Sequence, residues 1–487
     1  MNGALGLSLL VSVGTGVLLL RLAWPRGAAP FSLSLGIALG LGLGTGLSSV
    51  LLFLWMIAFG PTRGFPLAEV GLLGVAAMAG VPWRRGGRAA PPPTAPAPPG
   101  DGPRRGSRLL AFVLVSAALV ALGAATAAFL SMLRRHPHGE WDAWMNWDLR
   151  ARMIFRGGDQ WRTAFSAAIP WSHPDYPMLV PALVVRTWLY AGAETLRAPA
   201  LVAAMFTFGT AGLLAAALAA LRSPSQGVLA GLILLSTPFF IVHGVSLYGD
   251  VPVGFFFLAT MVFLALDGRY GAGTARFAAL AGVTAGLAMW TKNEGVLFGL
   301  AVVAGVWFTG VRAGQRTGGR LRAFGTGLLP LVLLVAGFKI AFAPPNDLLS
   351  TLGVGRTLGR LTAPDRYYLV IRDYVSHVAS FGDNGLAGAA WPLAACLLAL
   401  GLSRDEAGQA WARAGATALV LMLAGHFAVF VSMADELARL LNSSLDRLLL
   451  QLWPSALFLF FMVVRTPEEA AAGRLQGGVA AEAGSGR

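Results

Sequence analysis

FAALAGVTAGLAMWTKNEGVLFGLAVVAGVWF, residues 277 to 308, is two apolar stretches joined by the polar string Thr291-Lys292-Asn293-Glu294. But for that string the run would be more than 30 consecutive apolar residues, far more than a strand needs. Charges at membrane depth are expensive and usually face a cavity, a partner or an interface. Lys292 and Glu294 therefore have two readings. They mark a tight helix-to-helix turn, or the ammonium faces a phosphate while Asn293 and Glu294 shape its surroundings.

The same pattern extends over the chain. Its 487 residues are 56% hydrophobic and only 12% charged, where a soluble protein carries about 25% charge. Mean hydropathy is +0.66, and apolar runs of roughly 20 residues recur throughout, so the fold class is an all-α polytopic membrane protein. The net charge of +14 is carried almost entirely by arginine, with lysine only at 292 and 339. The arginines sit mainly in short links between apolar runs, where topology and anionic headgroups account for them and nucleic acid is not needed. The single cysteine, Cys396, excludes an internal disulfide and a cysteine-based metal cluster. The first 20 residues lack a basic start and a cleavage site and read as a retained span.

Candidate spans are 3–20, 31–59, 65–82 and 108–132, then 177–195, 199–221, 227–242, 251–266, 275–290, 295–311, 324–342, 384–402, 411–431 and 448–464. The basic, proline-rich link 83–107 reads as cytoplasmic, and 466–487 as a flexible cytoplasmic tail. VRAGQRTGGRLR (311–322) should also lie inside, which requires an odd number of crossings after the outer loop 134–175. One candidate within 177–221 is then re-entrant or interfacial, and about thirteen crossings remain. The arrangement brings several polar clusters to the outer face. The outer segments 134–175 and 343–383 read as short helices lying on the membrane.

The densest of those clusters is HGEWDAWMNWDLRARMIFRGG, residues 138 to 158. Glu140 and Asp142 follow a span directly, and one could accept a proton from an attacking hydroxyl; equally, any outer loop contains acids. Trp141, Trp144 and Trp147 would form an aromatic rim that anchors the loop or stacks on a sugar face. Asp148 and Arg152 stand four apart and could pair, while Arg150 and Arg156 could face phosphates of bulk lipid or of a bound substrate. In IPWSHPDYPMLVP (169–181) the prolines would hold His173, Asp175 and Tyr176 in a rigid turn, which is either an entry turn or part of a polar pocket. In LLNSSLDRLLLQLWP (440–454), Ser443 or Ser444 could cap a helix, placing Arg447 about a turn inside, to clamp a phosphate or to snorkel to lipid. His243, Tyr248 and Asp250 lie between two spans, and with His173 they match no strong zinc signature. A divalent cation is the one cofactor an acidic outer pocket would admit, and its ligands are unassigned.

WDAWMNWDLRARMIF, HPDYPMLVP, TKNEG and SSLDRLLLQLWP, taken in order, resemble the integral-membrane glycosyltransferases of the GT-C superfamily, particularly the bacterial protein-mannosyltransferase and aminoarabinose-transferase group. The resemblance spans 108–465, with the helices of 1–82 an addition at the front. It implies a GT-C-like bundle in a bacterial inner membrane, a polyprenyl-phosphate sugar donor and a site on the extracytoplasmic side. By position, Asp142 matches the family's key acid, with Glu140 as neighbour and substitute. Asp250 matches a later acid, Lys292 the polar interruption of a helix pair, and Arg447 a phosphate contact. The chain departs from the family in having Glu-Trp-Asp where relatives carry an Asp-Glu pair, so either carboxylate could be the base.

The expectation is an inverting glycosyltransferase that moves a sugar to a glycan, glycolipid or protein acceptor among membrane lipids. Arg150, Lys292 and Arg447 are the expected donor-phosphate contacts, and Trp141, Trp144, His173, Asp175, Tyr176, Asp250 and Glu294 the expected substrate contacts. The alternatives are a transporter or flippase of lipid-linked sugars, and a glycan polymerase or ligase with a diphosphate-linked donor.

Overall fold

A computed structural model describes residues 2–25, 31–85, 105–271, 274–312, 314, 317–345, 353–382, 388–403, 406–433 and 436–472. Most of the expected linker 83–107 and tail 466–487 lies outside these residues. Among them the regular structure is helical, and two strand-like positions meet only in an isolated bridge between Leu402 and Val464.

The first half comprises α1 (Asn2–Ala23), α2 (Leu33–Phe59), α3 (Phe65–Arg85), α4 (Arg105–Arg135), α5 (Asp148–Gly157), α6 (Leu179–Ala191), α7 (Arg197–Leu221), α8 (Pro224–Leu235) and α9 (Pro238–Val245). It is followed by α10 (Asp250–Tyr270), α11 (Arg276–Thr291), α12 (Glu294–Arg312), α13 (Gly318–Ala341), α14 (Val354–Leu361), α15 (Pro364–Ser380), α16 (Ala390–Leu400), α17 (Glu406–Met433) and α18 (Leu437–Val463). Nine described helices are long and apolar enough to cross a membrane, or ten if α8 and α9 form one broken span. This is a multi-pass membrane protein.

The span count is lower than the number of apolar runs because the apolar parts of α3, α6, α11 and α16 are short and because α8 and α9 are bent apart. The 13-residue α6 is buried over most of its length. At 1.5 Å per residue it is about 20 Å long, short of a hydrocarbon core of about 30 Å. It is the shorter of the two described helices in 177–221, where a re-entrant or interfacial segment is expected. The run at 227–242 is not one straight span: α8 and α9 meet at 67°. Pro238 lacks the N–H that would continue the ladder, and Ser236 and Thr237 lie at the break.

The bundle is organised around α10, in which every residue from Asp250 to Asp267 is buried. A helix apolar on all sides must be enclosed on all sides, and α2, α7, α9, α11, α17 and α18 surround it. The N-terminal helices belong to the same packed unit. Leu35, Leu39 and Leu52 of α2 share one core with Phe206, Phe255 and Phe257. Buried Arg186 on α6 donates to Glu69 on α3 at 3.0 and 2.9 Å and to the Ser8 hydroxyl on α1 at 2.7 Å. With little hydrophobic force between helices in lipid, close backbone approach matters more. A β-carbon on Gly282 of α11 would strike the Phe324 carbonyl of α13, and one on Gly327 would strike that of Ala279.

α15 is amphipathic. Tyr368, Ile371, Val375 and Val378 form an exposed row at helical spacing, while Val370 is buried against Phe430, Val431, Leu441 and Leu445. Arg366 donates to the Val431 and Phe430 carbonyls, each at 2.9 Å, and Arg360 to that of Ser432 at 3.1 Å. These guanidiniums satisfy carbonyls that the last turn of α17 leaves without partners.

Polar contacts gather at the two ends of the bundle. One end holds Arg320 on Asp267 at 3.2 Å, Arg222 on the Val464 carbonyl at 3.2 Å and Arg465 on the Leu402 carbonyl at 3.0 Å. The other end holds the groups described next.

Candidate functional site

Asp250 is the first residue of α10, where a carboxylate is favoured by the helix dipole. It is wholly buried, and every side chain that reaches it is a donor. Lys292 Nζ lies 2.9 Å away, Arg447 Nε and Nη2 at 3.1 and 2.8 Å, and Gln451 Nε2 at 2.7 Å. Lys292 ends α11 in an extended conformation (φ −148°, ψ 158°), and Glu294 opens α12. The turn between them closes only because residue 295 is glycine, since a β-carbon there would strike the Ala288 backbone. Lys292 Nζ also lies 2.8 Å from Glu294 Oε1, to which Gln451 Nε2 donates at 3.3 Å. TKNEG is thus a tight helix-to-helix turn, the first of its two sequence readings, and its Lys292 faces the carboxylates of Asp250 and Glu294.

Arg447 joins this cluster to the loop that follows α4. Its Nη2 lies 2.7 Å from Asp142 Oδ2, and its guanidinium sits 4.7 Å from the centre of the Tyr248 ring. Arg447, Asp142 and Glu294 are partly exposed, while Asp250 is sealed behind them. Three carboxylates (Asp142, Asp250, Glu294) and two cations (Lys292, Arg447) therefore meet from four separate stretches of chain, with a net charge of −1. Burial pushes the Tyr248 hydroxyl up to about 12, and the nearby Asp142 carboxylate adds to the shift. Leu247, beside it, has φ 63°, a left-handed conformation that costs a branched side chain about 1–3 kcal/mol.

Several expectations are corrected by these positions. Ser443 does not cap the helix: α18 begins at Leu437, and the Ser443 hydroxyl donates back to the Leu440 carbonyl. Arg447 is consequently nearly three turns inside α18 rather than one. Glu140 is apart from the network and pairs with His136 at 3.2 Å. Trp141 and Trp144 are exposed and meet edge to face, but Trp147 is buried and stacks on Tyr176 with ring centres 5.6 Å apart, so the three do not form one rim. A π-helical turn, Ala143–Trp147, widens the chain there and turns Trp147 inward. Arg152 does not pair with Asp148; it and Arg156 both reach Glu194, at 2.9 and 2.7 Å. Burial pushes the Asp148 carboxyl up to about 7, with Arg152 opposing the shift.

The HPDYP turn forms a second polar group beside the first. His173 has φ 43°, is exposed and stacks on Tyr176 at 5.2 Å between ring centres. Asp175 accepts from Asn293 Nδ2 at 3.0 Å and lies 3.3 Å from Lys339 Nζ. Arg150 is wholly buried, donates to the Tyr176 carbonyl and lies over the Trp147 ring, with its guanidinium carbon 5.4 Å from the ring centre. Burial pushes its guanidinium down to about 10, with Asp175 opposing.

Gln451 and Lys339 join these groups although no sequence motif singles them out. Gln451 stands four residues after Arg447, hence on the same helix face, and Lys339 is one of only two lysines; both signals are present in the sequence. His426 on α17 is also buried, and neither ring nitrogen has a partner among the described residues. Its neighbour Gly425 packs on Leu297, about a turn below Glu294. No group of three or more metal-ligating side chains occurs among the described residues.

Compared with protein-family models, curated proteins and solved structures, the chain matches none.

Proposed function

We propose that the protein is a membrane-embedded inverting glycosyltransferase that takes a sugar from a polyprenyl phosphate. The observation that carries this reading is the pair of cations, Lys292 and Arg447, fixed on buried Asp250 with Asp142 on the exposed side of Arg447. A lipid phosphate is a leaving group whose developing charge needs fixed cations, and these two are held by a carboxylate that solvent does not reach. An incoming phosphate would replace Asp142 on the guanidinium and free that carboxylate to act as base. The acceptor hydroxyl then attacks the anomeric carbon from the face opposite the phosphate. Its oxygen forms the new C–O bond and its proton passes to Asp142. The anomeric carbon–phosphate oxygen bond breaks, and the lipid phosphate leaves with the electron pair.

In the same proposal the bundle is GT-C-like and lies in a bacterial inner membrane, with the Asp250 end facing outward. Thirteen crossings follow if α3, α11, α16 and the bent α8–α9 pair each cross and α6 does not. This topology puts the arginine-rich end inside, in keeping with the positive-inside tendency.

The test is product formation by the purified protein in lipid, with polyprenyl-phosphate sugars and cell-envelope acceptors. The parent should transfer sugar, and Asp142→Asn should lower the rate about a hundredfold or more while staying folded. Movement of the sugar-lipid across a liposome without transfer would replace this reading by transport. Transfer undiminished in Asp142→Asn would move the base to Glu140.

A further inference from the structure

We infer that Tyr248 is a positioning residue for the proposed transfer: its ring fixes the Arg447 guanidinium and its hydroxyl fixes the Asp142 backbone, so one side chain sets the gap between leaving phosphate and base. This role rests on the transferase reading, which gives Arg447 and Asp142 those parts. Tyr248 lies in the short link between α9 and α10. The Arg447 guanidinium carbon sits over its ring, 4.7 Å from the centre, and the Asp142 N–H donates to its hydroxyl at 3.4 Å.

The chemistry calls for such a tie. In the resting network the Asp142 carboxylate is held by Arg447 at 2.7 Å. A phosphate that takes the guanidinium removes that hold just when the carboxylate must meet an acceptor hydroxyl. What then keeps Asp142 in place is its main chain. Asp142 stands immediately before the π-helical turn Ala143–Trp147, at the end where backbone N–H groups lack partners within the helix. The Tyr248 hydroxyl supplies that partner. Arg447 for its part stays tied to Asp250 through Nε and Nη2, and a ring against the face of a planar guanidinium restricts its tilt.

The link itself is firmly held. Leu247, immediately before Tyr248, has φ 63°, a conformation that a branched side chain keeps only where its surroundings enforce it. The Glu140 N–H donates to the Ser246 carbonyl at 3.2 Å, so the link and the loop after α4 are joined at two places. Gly139 permits that approach, since its φ is 72° and a β-carbon there would strike the Ser246 carbonyl. The His243 ring meets that of Tyr248 edge to face, with ring centres 6.0 Å apart. The phenol is therefore anchored by its own backbone and by a neighbouring ring, and not only by the two residues it positions.

Steady-state transfer and lipid binding by the purified protein, compared for Tyr248→Phe and Tyr248→Leu, test this. Tyr248→Phe keeps the ring and removes only the acceptor of the Asp142 N–H. Its kcat should fall about tenfold, with KM for the polyprenyl-phosphate sugar unchanged. Tyr248→Leu should lower kcat and also retain about tenfold less undecaprenyl phosphate in native mass spectrometry, where no transfer takes place. In an Asp142→Asn background no base is left to place, so Tyr248→Phe should have no further effect on kcat. A residue that only stabilised the fold would cost the same in both backgrounds. A full tenfold loss in that background, or equal kcat in the parent and Tyr248→Phe, would overturn the positioning of the base. These two arms stand even if Tyr248→Leu does not fold. Undiminished retention of undecaprenyl phosphate by a folded Tyr248→Leu would overturn the hold on Arg447. A parent that binds undecaprenyl phosphate but transfers no sugar would overturn the transferase reading, while weaker retention by Tyr248→Leu would still uphold the ring's hold on Arg447.

Discussion

Replacing Asp250 by asparagine tests the centre of the charge network, and the structure gives both a size and an order for the effect. All three partners of Asp250 are donors, so the new amide keeps one acceptor and turns its NH2 towards Lys292, Arg447 or Gln451. Gln451 Oε1 has no partner among the described residues, and a flip of that amide would accept the added N–H. The charges that remain are balanced: Lys292 keeps Glu294 at 2.8 Å, and Arg447 keeps Asp142 at 2.7 Å. Lys292→Met is the harsher change, because it leaves three carboxylates around one guanidinium. Breaking a buried pair costs about 3–5 kcal/mol. Asp250→Asn should fall near the lower figure and Lys292→Met near or above the upper. Equilibrium unfolding in mixed micelles, followed by tryptophan fluorescence, measures both. If Lys292→Met is the milder variant, or Asp250→Asn costs less than about 0.5 kcal/mol, the charge accounting is wrong.

Two other perturbations follow from the geometry. The folded-state pKa of Asp148 is raised from an ordinary 3.8 to about 7 by burial, so the folded protein holds a proton that the unfolded chain releases. Its contribution to stability therefore falls as pH rises through that window and levels off above it, by up to ~4 kcal/mol. Asp148→Asn should remove this slope from a curve of unfolding temperature against pH, and an unchanged slope would refute the assignment. Gly282→Ala sets a methyl against the Phe324 carbonyl and should cost about 1–3 kcal/mol. Gly325→Ala on α13 meets open space and should be neutral or stabilising by up to about 1 kcal/mol. Equal effects of the two changes on thermal unfolding would show that α11 and α13 do not approach as closely as described.

Lys292 and Glu294 are legible in the sequence alone, because a charge in a long apolar run has few explanations. Asp142 and Arg447 are legible as candidates through their position beside apolar runs. Their direct contact is not, since 305 residues separate them and nothing local records it. Arg150 is hidden for a related reason. Its sequence surroundings read as a short helix lying on the membrane, but the π-turn and the fold of HPDYP bring it beside Trp147. The break between α8 and α9 has a signal in Pro238, yet the apolar run continues across it and hides the bend.

Composition and the length of the apolar runs determined by themselves that this chain is a helical multi-pass membrane protein, because a backbone in hydrocarbon must satisfy its own hydrogen bonds. They also determined which few side chains were too polar to be there without a reason. Only the tertiary structure decided which of those side chains meet, which cation pairs with which carboxylate, and which guanidinium keeps free donors. Those outcomes depend on helix rotation and depth, and in a helix apolar on every side, such as α10, the sequence carries no stripe that would set either.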